Sequence, residues 1–153
     1  MSSSRNQRGV ALIELALTIG ILITIVFGIT EFGRAIYQYD TLAKAARDAA
    51  RHLSTKGPGD ATAIGDARCY AVYGNPSCTG STLAPGLTTA MVSVCDAVSC
   101  PASHQAQGAA PVVNLVSVTI GGANTPYAFI SAVQFVVPNF NFGPISVTMR
   151  QVL

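Results

Sequence analysis

The stretch between Val10 and Ile29 constrains this chain more than any other feature. It reads VALIELALTIGILITIVFGI, twenty residues of which only Glu14 is charged. As a helix it would measure about 30 Å, which is the thickness of the hydrocarbon layer of a membrane. A carboxylate inside such a span costs about 2.5 to 3.5 kcal/mol on insertion scales. We therefore predict a transmembrane helix in which Glu14 has a function.

The nine residues before the span are polar and basic and are not expected to fold. A secretory signal would have a shorter apolar region, with a small-residue cleavage site on its far side. Here the small residue, Gly9, precedes the apolar run, and no such site follows the run. Arg5 and Arg8 predict a cytoplasmic amino terminus, so the rest of the chain is expected to face outward.

The predicted helix continues beyond the membrane. Apolar residues recur there at steps of three and four, which is the period of an amphipathic helix. The pattern ends at Gly57-Pro58-Gly59, a strong helix stop. A helix from Val10 to Thr55 would be about 69 Å long, roughly twice the bilayer thickness. The predicted apolar stripe comprises Phe32, Ile36, Tyr39, Ala43, Ala46, Ala50 and Leu53.

Small residues recur every fourth position within the span. Such rows let transmembrane helices approach each other closely, although glycine is also common in membrane helices in general. We predict a helix-packing face formed by Ala16, Gly20, Thr24 and Gly28.

The residues after the helix stop predict a head of α+β fold, because antiparallel strands follow a long helix. Asp60 can cap a second helix from about Ala61 to Tyr73. Residues 127–137 are apolar between two prolines, and they fit a strand, a short helix or a membrane-proximal loop. Alternating strand patterns lie at 91–95, 112–120 and 145–149.

The second half of the chain lacks charge. No Asp, Glu, Lys or Arg lies between Asp96 and Arg150. A soluble domain usually carries mixed charges over its whole surface. We interpret this half as covered by neighbouring subunits or lying near a membrane, the alternative being a secreted β domain rich in Ser, Thr and Asn. The net charge of +2 gives no reason to expect nucleic acid as a partner.

Four cysteines follow the span, in the part expected to meet an oxidising compartment. Three pairings are possible. Loop closure favours the nearest partners, Cys69 with Cys78 and Cys95 with Cys100.

The chain does not have the motifs of an enzyme. Four residues separate Cys95 from Cys100, whereas a thiol-redox motif has two between its cysteines. Adding His104 gives three ligands, fewer than a structural zinc site needs. His52 is expected on a solvated helix face. We expect no catalytic activity, cofactor, metal or small-molecule substrate.

Several motifs resemble those of known proteins. Gly9 followed by four apolar residues and Glu14 looks like the processing signal of type IV prepilins, although Leu15 stands where an aromatic residue commonly follows the glutamate. Glu31-Phe32-Gly33-Arg34-Ala35 and Ala45-Ala46-Arg47-Asp48-Ala49-Ala50-Arg51 resemble the TadE-like family, minor pilins or pseudopilins of tight-adherence (type IVc) pili. The resemblance continues in Val72-Tyr73-Gly74-Asn75-Pro76, Pro85-Gly86-Leu87 and Ile145-Ser146-Val147-Thr148-Met149-Arg150, and so covers nearly the whole chain after residue 8.

The resemblance implies a pilin-like precursor that a prepilin peptidase cuts between Gly9 and Val10. It implies an assembly or initiation role in the pilus, with other minor pilins and the major pilin as partners. The implied location is the bacterial inner membrane, with a single span and a periplasmic head, and entry into the fibre is left open. In this interpretation Glu14 pairs with the new ammonium group of Val10 on a neighbouring subunit, and Glu31 and Arg34 form either a subunit contact or an exposed ion pair worth under about 1 kcal/mol.

Two other functions fit parts of the sequence. An unprocessed, single-span periplasmic binding or scaffold module would keep its leader and tolerate Glu14→Leu. A membrane-tethered thiol oxidoreductase would need a reactive cysteine pair. The expected parts are a leader at 1–9, a transmembrane half-helix at 10–30, an amphipathic half-helix at 31–56 and a head at 57–153.

Overall fold

A computed structural model describes residues 4–105 and 113–152 of the chain, with side chains from Gly9 onward. It has the predicted α+β fold, a long amino-terminal helix followed by a small antiparallel sheet. The helices are α1 (Ser4–Ser54), α2 (Ala61–Tyr73) and α3 (Pro101–His104). The strands are β1 (Val92–Cys95), β2 (Leu115–Ile120), β3 (Ala128–Phe129), β4 (Phe140–Asn141) and β5 (Ile145–Arg150), with a 3-10 turn at Thr89–Met91 before β1.

The predicted leader is partly helical, which corrects the expectation that it does not fold. Residues 1–3 lie outside the described residues, as does Val112 at the start of the predicted second strand. From Ser4 onward the leader continues α1 without a break. Extending an existing helix adds a hydrogen bond for each residue fixed, so the expensive nucleation step is already complete. Polar composition alone was therefore insufficient to predict an unfolded leader.

The chain divides into two compact units. One consists of Met1–Ile36 together with Ile130–Asn139, and the other of Tyr37–Phe129 together with Phe140–Leu153. The second unit holds the sheet of β1, β2 and β5 and the hydrophobic core. The first unit holds the apolar half of α1 and the segment that joins β3 to β4.

The main sheet has β2 at its centre and is antiparallel throughout. β1 pairs with one edge of β2 and β5 with the other, so that Val118 lies between Val94 and Val147. Alternate residues of β2, Val116, Val118 and Ile120, point into the core. On the opposite face Ser117 is also buried, and its hydroxyl lies 2.7 Å from Nε2 of His104 on α3.

The core depends on small residues of the two long helices. Alanine has no side chain beyond Cβ, so alanine-rich faces let helices and sheet approach closely. The predicted apolar stripe on α1 is wrong in its first half, because Phe32 is 67% exposed, and Ile36 and Tyr39 are exposed as well. Its second half is confirmed at Ala46, Ala50 and Leu53, which are buried. The full buried face of α1 comprises Leu42, Ala45, Ala46, Ala49, Ala50 and Leu53, which pack with Ala63, Ala67, Ala71 and Val72 of α2.

Both ends of α2 have the expected chemistry. The Asp60 carboxylate accepts hydrogen bonds from the N–H groups of Thr62 and Ala63, as an N-cap does. Gly74 ends the helix in the left-handed region, with φ of 74°. Disulfide bonds join Cys69 to Cys78 and Cys95 to Cys100, the pairing that short loops favour.

A buried carboxylate that the sequence analysis did not identify joins two loops. One oxygen of Asp96 accepts the Gly59 N–H at 2.7 Å, and the other accepts the N–H groups of Ser99 and Val98 and the Ser99 hydroxyl. Burial alone would raise the pKa of the Asp96 carboxyl, but these hydrogen bonds outweigh it and hold the pKa below the ordinary value of 3.8. The turn between α1 and α2 is thereby fixed to the loop after β1.

We predict that Asp96→Ala destabilises the protein by about 1.5 to 3 kcal/mol, because the N–H groups of Gly59, Val98 and Ser99 lose a charged acceptor. The free energy of unfolding is measured on the full chain in detergent, with the exposed Asp48→Ala as the matched control. Because the folded-state pKa is lowered, the ionised carboxylate stabilises the fold above pH 3.8, and this stabilisation is lost as the pH falls through the folded value. An equal loss in both variants, or a difference independent of acidification, would contradict this assignment.

Candidate functional site

The predicted functional residues of the amino-terminal segment lie along a single helix. Within the part of the chain that the structure describes, Gly9–Ser54 is the one helix long and apolar enough to cross a membrane. Large apolar side chains between Val10 and Ile29 are exposed on all sides of this helix, including Ile21 at 64%. A helix that is apolar all round suits a lipid environment. The chain is therefore compatible with a single-pass membrane anchor.

Gly9 and Val10 lie within α1, at the start of this apolar segment. Both residues are exposed. Among the residues that the structure describes, no atom outside the local helix lies within 4 Å of a Cβ atom placed on Gly9, so none of them requires glycine at this position. A protease would have to unwind this turn, because proteases bind the scissile bond in extended form.

Glu14 lies one turn after Val10 and is exposed. Among residues with described side chains it forms no ion pair. The neighbouring polar side chain, Thr18, bonds back to the carbonyl oxygens of Glu14 and Leu15, which is how a hydroxyl is satisfied inside a membrane helix. The Glu14 carboxylate cannot bond to backbone carbonyl oxygens in this way, because a carboxylate only accepts hydrogen bonds. It therefore requires a donor or a cation from outside this helix if it lies in lipid.

The small-residue row differs along its length. Ala16, Gly20 and Thr24 are exposed, and a Cβ atom on Gly20 would have nothing within 4 Å. Thr24 donates its hydroxyl to the Gly20 carbonyl oxygen, so its polar group is satisfied within the helix. At Gly28, in contrast, a Cβ atom would lie 3.6 Å from Cγ1 of Val136. Part of the predicted helix-packing face is thus occupied by the chain itself, and the rest is open.

Glu31 is a buried charged residue of the first unit. It is only 3% exposed. One carboxylate oxygen lies 2.7 Å from Nη1 of Arg34, and the other accepts the Ser131 hydroxyl at 3.0 Å and the Ala132 N–H at 3.1 Å. The alternative of an exposed ion pair is therefore wrong for Glu31, since its carboxylate is buried beneath the chain at 131–132. We call this set of contacts the Glu31 anchor.

The ionisation of Glu31 follows from these contacts. Burial alone would raise the pKa of its carboxyl. The hydrogen bonds from Ala132, Arg34 and Ser131, together with the positive charge of Arg34, outweigh burial and hold the pKa below the ordinary value of 4.5. The anchor therefore carries its negative charge throughout the neutral pH range.

The other members of the predicted juxtamembrane motif have different surroundings. Phe32 and Gly33 are exposed, and a Cβ atom on Gly33 would have nothing within 4 Å. Arg34 donates from Nη2 to the Ile130 carbonyl oxygen at 3.3 Å, besides its ion pair with Glu31. Two residues of the motif thus hold segment 130–139, and two are available for contacts outside this chain.

The cysteine and histidine cluster near α3 is closed by its disulfide. The ligand atoms of Cys95, Cys100 and His104 lie within 4.8 Å of one another. The two sulfur atoms are bonded to each other, and both ring nitrogens of His104 lie within hydrogen-bonding distance of serine hydroxyls, those of Ser103 and Ser117. A disulfide sulfur is not the thiolate that metals bind.

His52 lies in different surroundings from those predicted. It is half-buried, and its ring is 4.9 Å from that of Tyr70 on α2. The expectation of a solvated face is wrong because α2 covers this side of α1. A groove of about 500 Å³ lies beside it, lined by Asp48, Arg51, His52, Thr55, Tyr70, Gly74 and Leu83.

The comparison with protein families bears on the amino-terminal part of the chain. Residues 9–51 match the TadE-like protein family. This segment begins at Gly9, the residue before the expected cleavage point. It contains Glu14 and also Glu31 and Arg34, the two residues of the Glu31 anchor that lie on α1. The predicted resemblance is confirmed over this segment, while the resemblance of later motifs stays a prediction. No curated protein and no solved structure matches the chain.

Two features of the structure, the distant partners of Glu31 and the role of Asp96, were not found from the sequence. The partners of Glu31 are about 100 residues away, and helical periodicity gives no information on them. The role of Asp96 had a weak local signal, since Asp followed three residues later by Ser is typical of a turn closed by side-chain hydrogen bonds.

We predict that Glu31→Ala releases residues 131–133, because the Ala132 N–H and the Ser131 hydroxyl lose their acceptor. Hydrogen exchange of peptides covering 130–137 is expected to accelerate by roughly fivefold or more in the full chain in detergent. Asp40→Ala, an exposed carboxylate on the same helix, is the matched control and should leave this exchange unchanged. Unchanged exchange in Glu31→Ala would show that the segment is held without the anchor.

Proposed function

We propose that this chain is a minor pilin or pseudopilin that acts in the assembly or initiation of a tight-adherence (type IVc) pilus. The observation that carries the proposal is the TadE-like match over residues 9–51, which begins at the glycine of the expected processing site. The proposed location is the bacterial inner membrane, with a cytoplasmic leader and a periplasmic head. The role is structural, with no catalytic step assigned to the chain.

Processing would be the first step. A prepilin peptidase would supply the catalytic groups, and this chain would supply the peptide bond between Gly9 and Val10. Glycine lacks a side chain and enters a narrow cleft in extended form without steric conflict. No described atom outside the local helix lies within 4 Å of a Cβ atom placed on Gly9. This supports the proposal that the peptidase, and not the fold, requires glycine at this position.

Assembly would then use the charges that processing creates. Cleavage leaves an ammonium group on Val10, about 6 Å along the helix from Glu14. Each charge alone is costly in lipid, and pairing across two subunits neutralises both. Glu14 is exposed on the helix surface, as a carboxylate that pairs with a neighbouring subunit must be. The open part of the small-residue row, Ala16, Gly20 and Thr24, would let the partner helix approach.

The proposed partners are the inner membrane, the prepilin peptidase, other minor pilins or pseudopilins and the major pilin. The exposed apolar residues after the span, Phe32, Ile36 and Tyr39, offer a surface for such subunits on α1. The alternative function is an unprocessed, membrane-anchored periplasmic scaffold, which would use the same span and head but keep the leader.

We predict that the membrane-extracted protein starts at Val10 in cells with the prepilin peptidase and keeps its leader in cells without it. Intact mass and amino-terminal sequencing measure this directly. Gly9→Phe should remain uncut because its ring would not fit the cleft, whereas Gly9→Ala, the conservative control, should still be cut. Gly9 is exposed and a Cβ atom there meets no described atom outside the local helix, and circular dichroism of both variants checks that the helix is kept. A leader retained in both strains would favour the unprocessed scaffold.

We predict that Glu14→Leu is inserted and processed but assembles poorly, because the Val10 ammonium group of the neighbouring subunit loses its partner. Thr18→Leu is the matched control, since it also replaces a polar residue by leucine and its hydroxyl bonds only carbonyl oxygens of α1. Assembly is measured as pili per cell and as co-purification with other pilins, and we expect a loss of roughly tenfold for Glu14→Leu alone. Normal assembly of Glu14→Leu would refute the pairing.

A further inference from the structure

The segment that joins β3 to β4, residues 130–139, exposes large apolar side chains, with Gln134 and Asn139 as its exposed polar residues. Phe135 is 82% exposed, which is more than any large apolar side chain described between Val10 and Ile29, where Ile29 reaches 69%. Ile130 is 64% exposed. The segment has no Asp, Glu, Lys or Arg, and neither does any position from 97 to 149. An exposed apolar surface of this kind marks a contact with another molecule or with a membrane.

The position of the segment along α1 is fixed by two contacts within the first unit. Val136 lies against Gly28, because a Cβ atom there would be 3.6 Å from its Cγ1. The Glu31 anchor holds Ser131 and Ala132 one turn further along α1. Gly28 is inside the apolar stretch from Val10 to Ile29, about 27 Å from Val10 along the helix axis. The segment therefore lies at the outer boundary of any hydrocarbon layer that this helix spans, which is about 30 Å thick.

The backbone of the segment is suited to a place with little water. Irregular chain in contact with lipid must satisfy its polar groups internally. Five of its N–H groups do so: Ala132 donates to Glu31, Ser131 to Asn139, Val133 to the Ser131 hydroxyl, and Val136 and Val137 to the Val133 carbonyl oxygen. Pro138 has no N–H group to satisfy.

The charge of Glu31 does not oppose this placement. Its carboxylate is turned under the segment, is 3% exposed and is paired with Arg34. The surface that the segment presents consists of side chains without charge. A Phe beside aliphatic residues is also the composition that inserts into the head-group and acyl-chain boundary.

We propose that residues 130–137 are a second membrane contact of this chain, embedded at the interface of the leaflet where the span from Val10 to Ile29 ends. The segment and the end of the span together form one lipid-facing surface, on which Phe135 reaches furthest outward. The occupant of the surface is lipid, and the proposal rests on the membrane span but not on processing or on pilus assembly.

The chain contains no tryptophan, so one substitution provides a unique fluorescent reporter. Phe135→Trp replaces a residue that is 82% exposed, where a larger ring meets no neighbour. The full chain is reconstituted into vesicles of phosphatidylcholine and phosphatidylglycerol, with acyl chains brominated near the head group as the lipid quencher and iodide as the aqueous quencher. Ile21→Trp reports on the span, and Val152→Trp, 73% exposed and bonded through its N–H to Ser54 at the end of α1, reports on the head.

The expected result is that Phe135→Trp emits at shorter wavelength than Val152→Trp, is quenched by the brominated lipid and is protected from iodide. Emission and iodide quenching equal to those of Val152→Trp would place the segment in water and overturn the proposal. Protection from both quenchers would show that protein, such as a second copy of the chain, covers the segment, and would also overturn it. If Ile21→Trp is not quenched by lipid either, the span itself is absent from the bilayer and the proposal fails with it.

Discussion

Much of this structure depends on how two buried carboxylates obtain hydrogen-bond donors. A buried carboxylate is costly unless its oxygens are paired or bonded, and it offers four lone-pair positions that accept N–H groups. Glu31 uses donors from Ser131 and Ala132 and the guanidinium of Arg34. Asp96 uses donors from Gly59, Val98 and Ser99. In both cases the carboxylate holds an irregular segment that has no sheet partner of its own.

The two arrangements differ in what they join. Asp96 connects the turn between α1 and α2 to the loop that the Cys95–Cys100 disulfide closes. Both lie in the second unit, so Asp96 contributes to the stability of the fold. Glu31 fixes a segment to α1 within the first unit, just after the apolar stretch from Val10 to Ile29. The negative charge of Glu31 would be costly next to lipid, and here it instead holds Ser131 and Ala132 in place. Glu14, on the same helix, is exposed and forms no ion pair with the side chains that the structure describes.

The sequence predicted local structure well and distant contacts poorly. Three features follow from local chemistry. Asp60 caps the start of α2, Gly57-Pro58-Gly59 follows the end of α1, and the alternation at 145–149 predicts β5. The buried face on α1 was predicted correctly only in its second half, at Ala46, Ala50 and Leu53. Large side chains at Phe32, Ile36 and Tyr39 outweighed the alanines in the pattern, but α2 and the sheet pack against the alanines because small residues permit close approach. Likewise the predicted partner of Glu31, Arg34, lies three residues away and is present, but the further donors from 131 and 132 were not predicted.

Segment 130–139 joins the two strands of the short sheet of β3 and β4, which is separate from the main sheet. Phe129 pairs with Phe140 across the short sheet, so the two ends of the segment are held side by side before the segment begins. The hydrogen-bonded ladder of β1, β2 and β5 does not pass through it. Lengthening or shortening a loop with fixed ends changes its closure entropy only slowly, as the logarithm of its length. The exposed positions of the segment, such as Phe135, can therefore vary without change to the sheet, whereas Ser131 and Ala132 are constrained because they supply donors to Glu31.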